Sequence, residues 1–386
     1  MERMQADLVI VGSGAAGLAA TLAIQEKPFR ILLLTKGRLF QSGSTFANLN
    51  GRWGLTFADN DREREILLQA IQATAHGTNQ TELAAILVEE SRQAFNRLRD
   101  WGVKFARDPK GALRRVAPCF CNHPLAAILE DIAQYRAVMT KRLDRSRVEV
   151  YQETAASRIL VRDHEVVGLV AQHGPTSIEI STRAVILACG GNSATFRHHI
   201  VEPGLTGDGY HLAREAGLTL HNMAYQQRVW EDIDRQAARF SVAAFFDGRH
   251  TFRSQDNKAI ALPRPDSDLA RARKTHVPIS NLQADREFDQ HLLANIGTPE
   301  APRPILVYHD QAAHPTQHIL PHVQASNGGI LIGPNGETEI RGLFAAGEVT
   351  TGMHGGDRVG GTMIAATQVF GTRAGQAALR LLADRS

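Results

Sequence analysis

Continuous apolar runs joined by a glycine-rich turn open the chain. Residues 6–11 read ADLVIV and residues 30–35 read RILLLT. Runs without alternating polar positions are typical of strands buried on both faces of a parallel sheet. The residues from Leu18 to Ile24 are also apolar and predict a helix between the two strands. The pattern therefore predicts a strand, a helix and a second strand, which is the start of an α/β fold.

The remaining pattern continues the alternation of helices and strands. Helical periodicity covers residues 61–77 and 81–101, with Thr81 as the expected N-cap of the second helix. Strands are predicted at 147–151, 156–172, 184–191, 305–307, 329–333 and 343–346. A helix is predicted from Gly207 to Ala216, and another begins near Thr362. Between 229 and 303 charge density rises and apolar periodicity weakens, which indicates an inserted segment.

The turn after the first strand carries a phosphate-binding pattern. It reads Gly12-Ser-Gly14-Ala-Ala-Gly17 and stands between a predicted strand and a predicted helix. In such a unit the first glycine turns the chain, the second admits a pyrophosphate, and the third lets the helix pack closely on the strand. The sequence therefore predicts dinucleotide binding. The second strand ends in Thr35-Lys36 rather than an acidic residue, which disfavours a nicotinamide dinucleotide.

An uncharged stretch from Leu8 to Ile24 could also be a signal or membrane helix. It lacks a basic leading region and a small-residue cleavage site, and glycines interrupt it. The strand–turn–helix interpretation is therefore preferred, and no membrane span is expected.

A second glycine-rich segment lies near the C-terminus. A short apolar strand leads into Gly347-Glu348, a glycine-studded loop follows, and a helix begins at Thr362. Backbone N–H groups and a helix N-terminus gathered in this way favour phosphates and electron-rich rings. Arg358 lies in the same loop and adds a guanidinium.

Composition narrows the class of protein. Among 386 residues, 43% are hydrophobic and 22% are charged, as in ordinary globular proteins. The net charge of +3 is too balanced to favour nucleic acid. Three cysteines, without metal-binding spacing, give neither a disulfide framework nor a zinc or iron–sulfur site. We expect a cytoplasmic protein without a metal; the sequence leaves its oligomeric state open.

Several of these motifs occur in one family in the same order. They are Thr35-Lys-Gly37, Gly43-Ser-Thr-Phe-Ala47, Trp101-Gly-Val-Lys-Phe105, Ala188-Cys-Gly-Gly191, Gly207-Asp-Gly209, Gly347-Glu348 and His354-Gly-Gly-Asp-Arg-Val-Gly-Gly361. In them the chain resembles the flavoprotein family of fumarate reductases, succinate dehydrogenase flavoprotein subunits and L-aspartate oxidases. The resemblance implies a Rossmann-like FAD-binding domain, with a parallel sheet and helices on both faces, and an inserted, reduced capping domain. The implied boundaries are 1–228 and 305–386 for the FAD-binding domain and 229–304 for the cap.

The resemblance also implies site residues. The expected FAD contacts are Gly12, Gly14, Ala15, Ala16, Gly17, Thr35, Lys36, Gly43, Ser44, Thr45, Ala47, Gly51, Ala155, Ala188, Gly190, Asp208, Gly347, Glu348, Gly361, Thr362, Met363 and Ile364. Family members with covalent flavin carry a histidine in the first glycine loop. Residues 41–51 contain none, so we expect noncovalent FAD. The expected catalytic residues are Arg358, His354 and His322.

Some family motifs are altered. Tyr225-Gln-Gln-Arg228 replaces the family's Phe-His-Pro-Thr, and Gln324 replaces a histidine. The leading interpretation is an FAD-dependent dehydrogenase or oxidase that transfers hydride between flavin N5 and a small anionic substrate of the carboxylate type. Oxygen, a quinone or an electron-transfer protein would be the electron acceptor. Two alternatives stay open: an electron-transfer subunit with a degenerate substrate site, and L-aspartate oxidase.

Overall fold

The computed structural model describes residues 1–25, 28–47, 51–235, 238–310 and 312–384. Its α-helices are α1 (Ala15–Leu22), α2 (Gly43–Phe46), α3 (Asp61–Ala75), α4 (Thr81–Asp100), α5 (Ile132–Leu143), α6 (Asp208–Glu215), α7 (Asp268–Arg273), α8 (Gln283–Leu293) and α9 (Thr362–Ala383). Its strands are β1 (Glu2–Gln5), β2 (Leu8–Val11), β3 (Ile31–Leu34), β4 (Gly54–Thr56), β5 (Arg115–Val116), β6 (Ala126–Ile128), β7 (Glu149–Tyr151), β8 (Thr154–Arg162), β9 (Glu165–His173), β10 (Thr176–Ser181), β11 (Ala184–Leu187), β12 (Leu220–His221), β13 (Gln226–Asp232), β14 (Ala238–Arg239), β15 (His250–Arg253), β16 (Ala259–Ile260), β17 (Ile305–His309), β18 (Gln317–Ser326), β19 (Gly329–Leu331), β20 (Leu343–Ala345) and β21 (Thr350–Thr351).

The chain divides into two compact units. The first comprises Met1–Asn192, Glu202–Tyr225 and Ser326–Ser386, and the second comprises Ser193–Val201 and Gln226–Ala325. The expected insertion, 229–304, falls inside the second unit, which extends beyond it on both sides.

A five-stranded parallel sheet forms the centre of the first unit. Its order is β20-β11-β2-β3-β7, with Leu8 level with Ile31 on one side and with Ala184 on the other. Every residue of β2, β3, β11 and β20 is buried, which is why these strands read as continuous apolar runs. The predicted α/β class and parallel sheet are thereby confirmed.

Helices α1 and α9 pack against each other through small residues. A side chain at Gly371 would place its Cβ 2.6 Å from the Ala16 carbonyl oxygen, and one at Gly375 would meet the Ala20 oxygen at the same distance. Glycine therefore lets the two helix backbones approach closely, and both helices join the core around the parallel sheet.

Smaller sheets complete the first unit. They run β1-β10-β9-β8, β4-β6-β5 and β12-β19-β21. The predicted strand 156–172 is a hairpin of β8 and β9. Thr81 is the first residue of α4, and Gln80 occupies the cap position, so the prediction of Thr81 as N-cap is wrong. The expected loop 41–51 contains the single-turn helix α2, and residues 48–50 of it lie outside the described residues.

The second unit has a sheet and a core of its own. Its six strands run in the order β14-β13-β18-β17-β15-β16. Helices α7 and α8 lie between β16 and β17 in the sequence. Its core is rich in aromatic side chains, including Trp230, Phe240, Phe245, Phe252 and Phe288. Within the described parts of the two units, no helix has the length and apolar character that crossing a bilayer demands.

We expect Gly375→Val to lower the free energy of unfolding by about 1–3 kcal/mol, because the added methyl groups collide with the α1 backbone. Gln376→Val is the matched control, since Gln376 is the exposed neighbour on the same helix and its replacement should change stability by about 0.5 kcal/mol or less. Urea unfolding followed by circular dichroism measures both. Equal stability of the two variants would contradict close α1–α9 packing.

Candidate functional site

The glycine turn between β2 and α1 is fixed by its neighbours. Gly12 has φ +109°, and its N–H donates to the Leu34 oxygen at 2.9 Å. A Cβ at Gly12 would lie 2.3 Å from the Ala188 oxygen, and one at Gly17 would lie 1.8 Å from the Gly12 oxygen. Two of the three glycines are thus required by the protein's own packing.

Gly14 differs from the other two. Its backbone is extended at φ −73°, and an added Cβ would meet only the Thr45 hydroxyl, at an ordinary contact distance of 3.5 Å. Helix α1 begins there with no side-chain cap and no acidic residue in its first turn. The Ala15 N–H donates to Thr45 Oγ1 at 3.1 Å. The space beside Gly14 and the positive end of α1 are therefore suited to an anionic group.

A cavity of about 390 Å³ opens at this turn, and we call it the glycine-loop cavity. Most of the expected cofactor contacts line it, namely Gly12, Gly14, Ala15, Ala16, Thr35, Lys36, Gly43, Ser44, Thr45, Ala155, Ala188, Gly190, Asp208, Gly347, Glu348, Met363 and Ile364. The structure thus brings together residues that are up to 352 positions apart in the chain, from Gly12 to Ile364.

Five expected contacts lie elsewhere. Gly17 packs on the turn, Ala47 ends α2, Gly361 caps α9, Thr362 is buried in the first turn of α9, and Gly51 is half-buried.

Glu202 lines the cavity but was not predicted. Its carboxylate accepts the Gly43 N–H at 3.2 Å and the Gly204 N–H at 2.9 Å. It stands outside every motif, so the sequence carries no signal for it.

Lys36 forms an ion pair at the edge of this cavity. Its Nζ lies 2.6 Å from Asp208 Oδ2 and also donates to the Gly204 oxygen and to Thr206. The pair is partly exposed, so its contribution to stability is small. It does tie the end of β3 to the start of α6, on which Asp208 lies.

Glu348 is a half-buried carboxyl on the cavity wall. Its Oε1 accepts the Ser326 N–H at 3.0 Å, and the absence of a side chain at Gly191 makes room for it. Burial raises the pKa of Glu348, whereas the Arg358 charge and the Ser326 N–H oppose that rise.

The loop that carries Arg358 is bonded to three other segments. The N–H groups of Gly356 and Asp357 donate to the Ala75 and Thr74 oxygens at the end of α3. The Thr56 hydroxyl donates to the Gly360 oxygen at 2.7 Å, and the Gly360 N–H donates to the Cys119 oxygen.

A side-chain hydrogen bond adds to these backbone bonds. His76 Nε2 lies 2.9 Å from the buried carboxylate of Asp357. The position of Arg358, one residue further on, is therefore determined by the fold.

His354 lies in the same loop and is buried. Its Nδ1 is 3.5 Å from Thr362 Oγ1, at the outer limit of a hydrogen bond. Its Nε2 is shielded from solvent and has no hydrogen-bond partner among the described residues. Burial, and secondarily the Arg358 charge, lower the pKa of His354 well below its usual value, so the ring is neutral near neutral pH.

His322, the third expected catalytic residue, belongs to the second unit. Its Nδ1 lies 3.1 Å from the Leu320 oxygen, and its ring meets the His198 ring edge-on at 5.2 Å. Burial lowers its pKa, and the nearby His198 and His199 add to that effect. Within the described residues, no group of three His, Cys, Asp or Glu side chains is placed to hold a metal ion.

The glycine-loop cavity fits a dinucleotide. Gly14 leaves space that protein packing does not require, the uncapped α1 N-terminus faces that space, and Glu348 offers an acceptor for hydroxyl groups. The FAD binding domain family matches the chain over residues 7–364. The chain belongs to this family. It is a fumarate reductase-like flavoprotein oxidoreductase.

Relatives of this flavoprotein match it over nearly its whole length. It is 26% identical to the fumarate reductase flavoprotein of Mycobacterium tuberculosis, over 97% of this chain and 70% of that protein. It is 23% identical to an L-aspartate oxidase of Clostridium acetobutylicum, over 97% of this chain and 88% of that protein. The structure of E. coli quinol fumarate reductase FrdA superposes with a TM-score of 0.80 at 22% identity, over 100% of this chain and 72% of that one. The last match establishes the shared fold.

We expect Gly14→Ala to weaken FAD binding by at least about tenfold while leaving the apoprotein's thermal midpoint almost unchanged. The reason is that the added methyl group would occupy space expected for the pyrophosphate, while it meets only the Thr45 hydroxyl of the protein, at an ordinary contact distance. Gly12→Ala is the contrast, because its Cβ collides with Ala188 and should destabilise the apoprotein itself. Fluorescence titration with FAD and thermal unfolding separate the two effects. Wild-type FAD affinity in Gly14→Ala would exclude the proposed pyrophosphate position.

Proposed function

We propose that this flavoprotein oxidises or reduces a small anionic substrate of the carboxylate class, with FAD bound noncovalently in the glycine-loop cavity and supplying hydride exchange at its N5 atom. The observation that carries the proposal is the placement of Arg358 on a loop bonded to α3, β4 and the segment around Cys119. A loop held in this way presents its arginine from a defined backbone position, which favours recognition of an anion.

Arg358 would bind the substrate carboxylate. Its planar fork can donate two parallel hydrogen bonds to one carboxylate, which fixes orientation as well as charge. Burial lowers the pKa of Arg358, and the Glu348 charge opposes this. Because the pKa of arginine starts far above neutrality, the side chain remains a cation.

His354 would contact the substrate as a neutral imidazole. A neutral ring donates from one nitrogen and accepts at the other. Since Nδ1 faces Thr362, the shielded Nε2 is the atom available for a substrate polar group or for holding a proton. The side chain thus adds a polar contact to the site without adding a second charge beside Arg358.

The N-terminus of α9 adds a further favourable field. The helix begins after Gly361 without a side-chain cap and without an acidic residue in its first turn, and Met363 and Ile364 line the glycine-loop cavity. Negative charge that develops near this end is stabilised by about 0.3–1 kcal/mol.

Relatives support the carboxylate class but not one substrate. They are named for fumarate reduction and for L-aspartate oxidation, and both of those compounds are small carboxylates. Gln324 and Tyr225-Gln-Gln-Arg228 stand where family motifs carry histidine, so we propose a carboxylate other than aspartate. The electron acceptor would be oxygen, a quinone or an electron-transfer protein.

A panel of small carboxylic acids and amino acids, added anaerobically, should contain a member that bleaches the yellow FAD absorbance; fumarate-type acceptors are tested on dithionite-reduced protein. With that compound, Arg358→Lys should raise KM by about 10–100-fold, because lysine keeps the charge but loses the fork. Stopped-flow absorbance measures this.

Arg158→Lys is the matched control, since Arg158 is exposed on β8 and should leave KM unchanged. An unchanged KM in Arg358→Lys, with FAD bound normally, would remove Arg358 from the substrate site. Failure of the whole panel, with rapid reduction by a partner protein, would instead favour an electron-transfer subunit.

Acid denaturation should release all of the flavin into the supernatant, because residues 41–51 offer no histidine for a covalent bond. The measurement is the partition of absorbance between precipitate and supernatant after trichloroacetic acid treatment, with mass spectrometry of the protein. A protein mass increased by that of FAD would show covalent attachment.

A further inference from the structure

A second cavity, of about 310 Å³, lies between α4 and α9 in the first unit, and we call it the arginine groove. Polar side chains dominate its walls, and those that matter here are Glu90, Gln93 and Arg97 of α4 and Thr372, Arg373 and Arg380 of α9. None of the motifs that define the flavin site contains these residues. The groove is therefore a feature to be explained separately.

The helical repeat places these side chains on two facing surfaces. Glu90, Gln93 and Arg97 follow the spacing of one helix face, and Arg373 and Arg380 follow it on the other helix. Elsewhere α4 and α9 bury apolar residues in the common core. At the groove the two helices instead turn charged faces toward each other.

Arg97 is the least compensated charge of the groove. Its Nη2 donates to the Gln368 carbonyl at 2.7 Å, but its Nε is shielded from solvent and has no hydrogen-bond partner among the described residues. Among the residues that the structure describes, no carboxylate lies within ion-pair distance of the Arg97 guanidinium. Burial lowers the pKa of Arg97, with only the Glu90 charge opposing. A half-buried cation without an ion-pair partner costs free energy, part of which a bound anion would recover.

Glu90, the acidic side chain of the groove, is already engaged. Arg373 Nε lies 3.0 Å from both Glu90 oxygens, and its Nη1 donates to the Pro334 carbonyl and to Asn335. Arg380 makes one long contact of 3.5 Å with Asn335. Three guanidinium groups thus face one carboxylate, which leaves an excess of two positive charges.

We propose that the arginine groove binds a small phosphate dianion, either free phosphate or the phosphate of a monoester. Its two negative charges match the excess charge, and donors from α4 and α9 approach from two sides, as a tetrahedral anion requires. Arg97 and Arg380 bind it, while Arg373 stays with Glu90. The site differs from the glycine-loop cavity, because Arg373 lies ten residues along α9 from Met363, about 15 Å away. It does not depend on the function proposed above.

The test is a calorimetric titration of FAD-saturated protein with inorganic phosphate, at an ionic strength held constant with sodium chloride. We expect one saturable site of millimolar or tighter affinity. Arg97→Gln and Arg380→Gln should each weaken it by at least about tenfold, with the flavin spectrum unchanged. Arg380 is exposed, so its variant remains informative if Arg97→Gln unfolds the protein.

Arg99→Gln is the matched control, because Arg99 is exposed on the same helix and lies outside the groove. Absence of saturable binding, or equal loss in Arg99→Gln, would overturn the proposal. A parallel titration with glycerol 3-phosphate identifies the source of the anion. Tighter binding of this ester indicates a phosphorylated metabolite, and tighter binding of inorganic phosphate indicates the free ion.

Discussion

Contact between backbones, with no side chain between them, is the constraint on which the flavin site depends. A Cβ at Gly17 would lie 1.8 Å from the Gly12 oxygen, and one at Gly371 would lie 2.6 Å from the Ala16 oxygen. The first contact seats α1 on the parallel sheet, and the second seats α9 on α1. Because both helices begin at the cavity, this packing also directs toward it two helix N-termini that have no acidic residue in their first turns. The electrostatics of the site therefore follow from its packing.

The second constraint concerns the loop of residues 354–361. This loop places Arg358 near the Glu348 carboxyl. Their attraction offsets the cost of removing both groups from water only if the loop holds them in a defined geometry. Hydrogen bonds to Thr74, Ala75 and Cys119, and the side-chain hydrogen bond between His76 and Asp357, supply that support. Residues outside the flavin motifs, such as His76 at the end of α3, thus help to position this loop.

The strands that are buried on both faces were the most plainly marked in the sequence, whereas a polar edge strand was missed. Strands β2, β3 and β11 are fully buried, so each left an uninterrupted apolar run. Strand β1 is a polar edge strand with mostly exposed residues, and nothing in its composition marks it. The core of the second unit gathers Trp230, Phe252 and Phe288 from positions so far apart in the chain that no local period connects them.

Contacts expected for the cofactor and contacts proposed for the substrate differ in how strongly they depend on individual side chains. The expected flavin contacts are largely glycine backbones and helix ends, which belong to the fold itself, and that fold is shared with a structure at 22% identity. Substrate contacts rest on a few side chains, which can change without disturbing the packing. Here the cation Arg358 remains, whereas histidine-bearing motifs are replaced at Gln324 and at residues 225–228. Under the proposed function, recognition of an anion can survive that replacement, but any proton transfer would then need other groups. In this loop the buried, neutral His354 would be able to hold the proton.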